Sequence, residues 1–325
     1  MAIRKVLTNL YKIEVPLPGN PLRALNSYVI KGNGRNLIID TGMNRDECYS
    51  AMSAGLDELG IDLKKTDFFI THIHADHVGL VARLATESSA IYFNRADANA
   101  LLKMGSSWER NAAFADQNGF PPEERQKAIQ NHPARIYTGK EDIAFRILKE
   151  GDTVKAGDYS FRCIETPGHT RGHMCLYEAD RKILVSGDHI LIDITPNISL
   201  WSDSEDPLSE YLSSLDKVYG LDIKLVLPGH RRRFKDCQKR IRELKKHHEK
   251  RANEVLSILD KGSLDGYHVA SRMTWDMSYE TWDEFPAHQK WFAFGEAISH
   301  LKYLENKGKV KKGTQGNGMT YTLNN

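Results

Sequence analysis

A chain of 325 residues with 45 Lys and Arg, 43 Asp and Glu, a formal net charge of +2 and 40% hydrophobic residues has the makeup of an ordinary soluble globular protein. A mean hydropathy of −0.51, with no run approaching the roughly 18 apolar residues of a membrane span, excludes an integral helical membrane protein. Cys48, Cys163, Cys175 and Cys237 form no CxxC pair and no secreted-domain spacing, so reduced thiols are expected. The first residues, Met1 to Val6, carry no hydrophobic signal core, and the cytoplasm is the expected compartment. The length predicts one large and one small domain.

In chain order, the first informative segment is Asn36-Leu37-Ile38-Ile39, a strand that delivers the carboxylate of Asp40 just before Gly42. The apolar run Phe68-Phe69-Ile70 then reads as a buried strand and leads into Thr71-His72-Ile73-His74-Ala75-Asp76-His77-Val78-Gly79. Four metal-competent side chains within six residues point to a metal site. Side chains two apart on an extended segment point the same way, so His72 and His74 can close on one ion. Asp76 and His77, on the following turn, can reach a neighbouring one.

Residues from about 94 to 135 read as two or three helices inserted between strands, with Pro121-Pro122-Glu123-Glu124 as a helix start. One reading is a lid in which Met104, Trp108, Phe114 and Phe120 shape an apolar substrate pocket; the other is that they pack the insertion onto the body or a second subunit. Downstream, three strands each lead to Gly and a candidate ligand. Phe161 to Glu165 precedes Gly168-His169, Ile183 to Val185 precedes Gly187-Asp188, and Lys224 to Leu227 precedes Gly229-His230. Glycine there lets the backbone turn tightly beside a site. His173 and His189 read as supporting or structural histidines.

Arg231 to Arg251 holds eleven Lys or Arg against three Asp or Glu, on apolar spacing (Ile241, Leu244, Val255, Leu256) that suits a long helix. A solvated helix face is one reading. In the other, one of Arg231, Arg232 and Arg233 binds a carboxylate or phosphate of an anionic substrate. The remainder predicts helices near 252–261, 265–275 and 286–306, then a hairpin around the Gly-rich turn from Gly313 to Gly318. Its eight Lys or Arg and nine Asp or Glu make a poor footprint for nucleic acid, so Trp275, Trp282, Trp291, Phe292 and Phe294 are expected in a core or interface.

Taken together, Asp40, the His72–His77 segment, His169, Asp188 and His230 resemble the five motifs, in order, of the metallo-β-lactamase superfamily. The resemblance covers about residues 1–230 and extends to its glyoxalase II-like members and to a branch with a winged helix behind the catalytic domain. It implies an α/β fold, a four-layer αββα sandwich, with a small winged-helix-like domain over 231–325. It also implies one metal held by His72, His74 and His169, a second held by Asp76, His77 and His230, and Asp188 bridging the two. Asp40 would support the metal loop without binding. Members that run iron redox chemistry carry a carboxylate where this chain has His74, so hydrolysis is favoured.

The expected cofactors are two Zn2+, with Mn2+ or Fe2+ suited to the same donors. The expected reaction is hydrolysis of a small ester, thioester or lactone by metal-bound hydroxide, with Asp76 as the catalytic carboxylate that orients or receives a proton. Alternatives are a metal-dependent phosphodiesterase or endoribonuclease, and a non-catalytic binding or regulatory protein on the same fold. The expected partner is a small, anionic molecule, with nucleic acid disfavoured, no membrane, and a homodimer as an open option.

Overall fold

Parallel direction at two places fixes where this fold gathers its polar residues. The computed structural model describes residues 3–139, 143–276, 279–316 and 318–324. Met1, Ala2 and Asn317, the last within the expected Gly-rich turn, lie outside them. The first half comprises β1 (Ile3–Leu7), β2 (Leu10–Pro16), β3 (Ala24–Ile30), β4 (Asn36–Ile39), α1 (Asp46–Glu58), β5 (Thr66–Phe69), α2 (Ala75–Val78), α3 (Val81–Leu84), β6 (Ile91–Asn94), α4 (Arg95–Leu102), α5 (Met104–Gln117), α6 (Pro122–Gln130) and α7 (Pro133–Tyr137). The second comprises β7 (Phe145–Leu148), β8 (Thr153–Ala156), β9 (Tyr159–Glu165), β10 (Met174–Glu178), β11 (Ile183–Gly187), α8 (Pro207–Tyr219), β12 (Leu225–Pro228), α9 (Cys237–Leu259), α10 (Gly266–Arg272), α11 (Ala287–Asn306), β13 (Val310–Gln315) and β14 (Gly318–Leu323).

Strands β1 to β7 form one sheet in sequence order, and β12-β11-β10-β9-β8 form a second. Period-two alternation assigns each strand face to a layer. On β4, Leu37 and Ile39 join Phe161, Cys163, Leu176 and Val185 in the core between the sheets, whereas Ile38 faces outward to Cys48, Met52 and Leu56. On β11, Ile183 and Val185 face inward and Leu184 packs outward among Leu208, Leu215, Ile241 and Leu244 of α8 and α9. The result is helix, sheet, sheet, helix, the sandwich expected from the sequence. The four cysteines are buried and unpaired. Among the described residues, no helix is long and apolar enough to cross a membrane.

The segment 94–135 holds four helices, α4 to α7, rather than two or three. Two of its apolar residues do not shape a pocket. Phe114 and Phe120 are buried with Val255, Trp291, Phe294, Ile298 and Tyr321, so the segment packs onto the C-terminal helices. Trp291 and Phe294 are core residues, as expected, and Trp275 and Trp282, partly buried, pack against the same cluster. The basic stretch from Cys237 onward and the first predicted C-terminal helix form one continuous helix, α9, started by the Asp236 side chain accepting from the Lys239 amide; residues 231–236 precede it. α10, α11 and the antiparallel β13–β14 hairpin complete the chain.

Candidate metal centre

Strands β4 and β5 run parallel, as do β11 and β12, and β9 runs with β11 because both lie antiparallel to β10. Their C-terminal ends therefore open at the same edge of each sheet, and the loops that leave them carry Asp40, the His72–His77 segment, His169, Asp188 and His230. Two backbone hydrogen bonds stitch the sheets together there: Met174 N–H to Thr71 O at 2.9 Å and Asn26 N–H to Gly229 O at 2.7 Å. Asp40 sits at φ 59°, a left-handed conformation that turns the chain sharply off β4.

All seven residues singled out from the sequence come together. The donor atoms of His72, His74 and His169 lie within 4.8 Å of one another, and so do those of Asp76, His77 and His230. Asp188 stands between the trios. Its Oδ1 is 3.5 Å from His77 Nε2, and its Oδ2 is 3.4 Å from His230 Nε2 and 3.8 Å from His169 Nε2. Asp76 Oδ2 lies 3.2 Å from His230 Nε2. His72 Nε2 and His74 Nδ1 are 3.0 Å apart.

The outward-facing nitrogens settle which ring atoms are available. His169 Nδ1 donates to Asn197 O (2.7 Å), His230 Nδ1 to Ala24 O (2.8 Å) and His77 Nδ1 to Asp40 Oδ2 (2.8 Å). A carbonyl or carboxylate oxygen only accepts, so each Nδ1 carries a proton and each Nε2 is the ring atom turned inward, a ligand position once any proton on it is displaced. Those three Nε2 atoms, with Asp188 Oδ1, are buried and have no hydrogen-bond partner among the described residues. Convergent buried polar atoms lacking partners are costly unless a cation satisfies them. Five imidazoles and two carboxylates are a donor set suited to zinc or a similar divalent ion. The residues present thus fit a pair of cations.

The electrostatics differ between the two sides. Burial pushes His74 down to about 3 and holds His72 well below the usual histidine range. Burial opposes protonation of His230 as well, but Asp188 and Asp76 overcome it and raise that ring to about 10. Burial would raise Asp76, yet His77 and His230 keep it at about 2. The Asp76–Asp188 side therefore carries excess negative charge that protons or metal ions must balance.

His173 and His189 lie outside both trios. His173 Nδ1 donates to Thr166 Oγ1 (2.8 Å) and its Nε2 accepts from the Asp188 amide (3.1 Å), which fixes the backbone under Asp188. His189 packs against the Tyr211 ring. Asp40 also accepts from the Thr71 amide and hydroxyl, both at 2.8 Å, so one carboxylate secures the start of the histidine loop. Gly187 (φ 47°) and Gly229 leave no room for a side chain: a Cβ on Gly229 would lie 2.5 Å from Asp188 Oδ1.

Sequence reasoning missed Asp97. Its buried carboxylate accepts from Ile73 N (2.9 Å), Thr170 Oγ1 (2.7 Å) and Gly172 N (2.7 Å), tying the two histidine loops together from α4. The arginines after His230 make contacts within the protein. Arg232 makes a two-pronged pair with Asp193 (2.9 and 3.0 Å), Arg231 donates to Pro21 O (3.0 Å), and Arg233 to Val6 O (3.4 Å).

The sequence profile of the Metallo-beta-lactamase superfamily matches residues 21–230, and the chain belongs to that superfamily. It is 30% identical over 215 residues to the human protein named Acyl-coenzyme A thioesterase MBLAC2, covering 63% of this chain and 72% of that one. It is 25% identical over 315 residues to Probable metallo-hydrolase YqjP of Bacillus subtilis, covering 89% and 90%. The match to Lactamase-like protein adaB of Aspergillus niger, at 24% identity, covers 75% of this chain and 63% of that protein, so the chain spans less than two thirds of that relative. Among solved structures, a metallo-beta-lactamase family protein from Thermus thermophilus superposes with a TM-score of 0.83 at 25% identity, over 98% of this chain and 100% of that one.

Proposed function

We propose that the chain is a dinuclear zinc hydrolase that cleaves a thioester, within the broader class of small esters and lactones. The observation that carries this reading is the pair of histidine-rich trios flanking Asp188, with the His77, His169 and His230 Nε2 atoms buried, turned inward and without a hydrogen-bond partner among the described residues. His72, His74 and His169 would hold one ion, Asp76, His77 and His230 the other, and Asp188 both. Bound there, two divalent ions supply Lewis-acid activation of water and of the scissile carbonyl. Asp76 is the catalytic carboxylate on this reading, orienting the incoming water or receiving its proton. Burial of His72, His77 and His230 keeps bulk water from competing for the same positions.

Thioesters are favoured within that class by the human and chicken relatives named acyl-coenzyme A thioesterases, each 30% identical. We assign the substrate to small anionic molecules and the protein to the cytoplasm, with a homodimer as an open option. The C-terminal helices and hairpin are read as a winged-helix-like domain behind a catalytic domain ending near 230. Nucleic acid is not its ligand on this reading. The test is metal analysis followed by a panel of thioesters, lactones and bis-p-nitrophenyl phosphate. Turnover of the thioesters by metal-loaded protein supports the proposal. Metal-dependent cleavage of the phosphodiester alone would replace it with the phosphodiesterase reading.

A further inference from the structure

A groove of about 1110 Å³ opens beside the metal loops, between α4–α5 on one wall and the β7 and β9 edge on the other. Ile73, which separates His72 from His74, and Pro167 and Arg171, which flank His169, form its inner end. Its volume sits just above the roughly 300–1,000 Å³ typical of small-molecule sites, so it suits a large, extended ligand.

The charge of this groove is its distinguishing feature. Arg95, Lys103, Arg110 and Lys149 line it, all exposed and with no ion-pair partner among the described residues. Arg171, also on the wall, pairs with Glu205 at 2.9 Å. The other two acidic wall residues are already engaged, Glu165 by the Asn94 amide (3.1 Å) and Asp152 by the Lys149 backbone N–H (2.9 Å). The buried carboxylate of Asp97 faces away into the histidine loops, where three donors occupy it. Five cations and three carboxylates line the groove, a formal excess of two positive charges, and four of the cations make no ion pair among the described residues. Such a surface concentrates a multiply charged anion, and arginine forks match phosphate oxygens.

We propose that this groove binds the polyphosphorylated nucleotide end of the substrate's carrier, while a flexible arm reaches past Ile73 to present the thioester at the metal loops. The assignment rests on the thioester reading above and deepens it: the substrate is a thioester of coenzyme A chemistry rather than of a small uncharged thiol. It also relocates the anion contact from Arg231–Arg233, which are tied to the protein, to the α4–α5 wall.

The experiment compares wild type with Arg95→Glu/Arg110→Glu, using Lys245→Glu, a residue of α9 paired with Asp216 on a different surface, as the control. Adenosine 3′,5′-bisphosphate binding is titrated at low and high salt, and kcat and KM are measured for an acyl-coenzyme A and for the same acyl group on N-acetylcysteamine. Wild type and control should bind the bisphosphate far more tightly than inorganic phosphate, in a salt-sensitive way. The double variant should lose about tenfold or more of that affinity and show the same rise in KM for acyl-coenzyme A, with kcat/KM for the short thioester unchanged. Equal binding by wild type and double variant, equal loss on both thioesters, or bisphosphate binding no tighter than phosphate would overturn the assignment. If neither thioester is turned over but the binding pattern holds, the thioesterase reading fails and the groove remains an assigned nucleotide site.

Discussion

The backbone carbonyl of Asn197 accepts the Nδ1 proton of His169 at 2.7 Å, and the side chain of the same Asn197 is fastened to α11. Its Nδ2 donates to Phe292 O (3.2 Å) and Glu296 Oε2 (3.1 Å), and its Oδ1 accepts from Ser199 Oγ (2.5 Å). The C-terminal helices therefore set the orientation of one imidazole of the metal centre. Asn197→Ala leaves the carbonyl in the chain but frees the segment that aims it. Outer hydrogen bonds of this kind are worth about 10–100-fold in metal affinity. We expect zinc affinity to fall by about tenfold, with the near-UV circular dichroism of the tryptophans unchanged; unaltered affinity would show that α11 has no part in positioning His169.

Asp97 performs a comparable task from the opposite side. Removing its carboxylate strands the Ile73 and Gly172 amides, and each buried unsatisfied donor costs about 1–3 kcal/mol. Asp97→Ala should destabilise the protein by about 2–4 kcal/mol in denaturant unfolding and lower metal affinity at the same time. Asp97→Asn keeps an acceptor at one of the two oxygen positions, so its amide group would face either the Gly172 or the Ile73 N–H, and it should recover part of the stability but little of the affinity. A variant with full metal affinity would contradict the role given to Asp97.

These two residues also mark how far the sequence could be read. Asp40, the histidine segment, His169, Asp188 and His230 were legible because each follows an apolar strand with a glycine alongside, a local pattern that parallel strand directions then bring together. Asp97 and Asn197 carry no local signal: they act across 24 and 28 residues of sequence, through contacts that exist only once the loops meet. Phe114 and Phe120 were readable as apolar but not as facing α11, because an amphipathic stripe does not say which neighbour covers it. Arg231 to Arg233 looked poised for an anion by proximity to His230, yet the turn at Arg231 (φ 66°) sends them to Pro21, Asp193 and Val6.

Gly229→Ala tests the close approach behind Asp188. The added methyl would lie 2.5 Å from Asp188 Oδ1 and 2.8 Å from His77 Cε1, inside any normal contact. Overpacking of this type costs about 1–3 kcal/mol. The variant should fold with a lower unfolding midpoint and take up no more than one tightly bound metal per chain, whereas retention of wild-type metal uptake would mean that Asp188 can move without consequence.

His300 predicts an acid limit on stability. It is fully buried, burial pushes its imidazole down to about 3, and its neighbours His248, Arg251 and His247 are basic. A histidine depressed in the folded state contributes stability that is present above about pH 6.5 and is lost as pH falls toward the folded value, because the unfolded chain takes up the proton first. His300→Gln, which can still donate to Glu296 O, should therefore be less acid-sensitive than wild type. Its stability relative to wild type should improve by about 1–3 kcal/mol between pH 7 and pH 4, measured by chemical unfolding with tryptophan fluorescence. A pH-independent difference would contradict the prediction.

The central claim, that two cations share one carboxylate, is tested most directly by metal stoichiometry. Zinc titration of metal-free protein followed by calorimetry and elemental analysis should give two ions per chain for wild type, two for Asp76→Asn with weakened affinity at one site and turnover lost, and at most one for Asp188→Ala. Wild-type protein that saturates at a single ion, or Asp188→Ala that still holds two tightly, would contradict it.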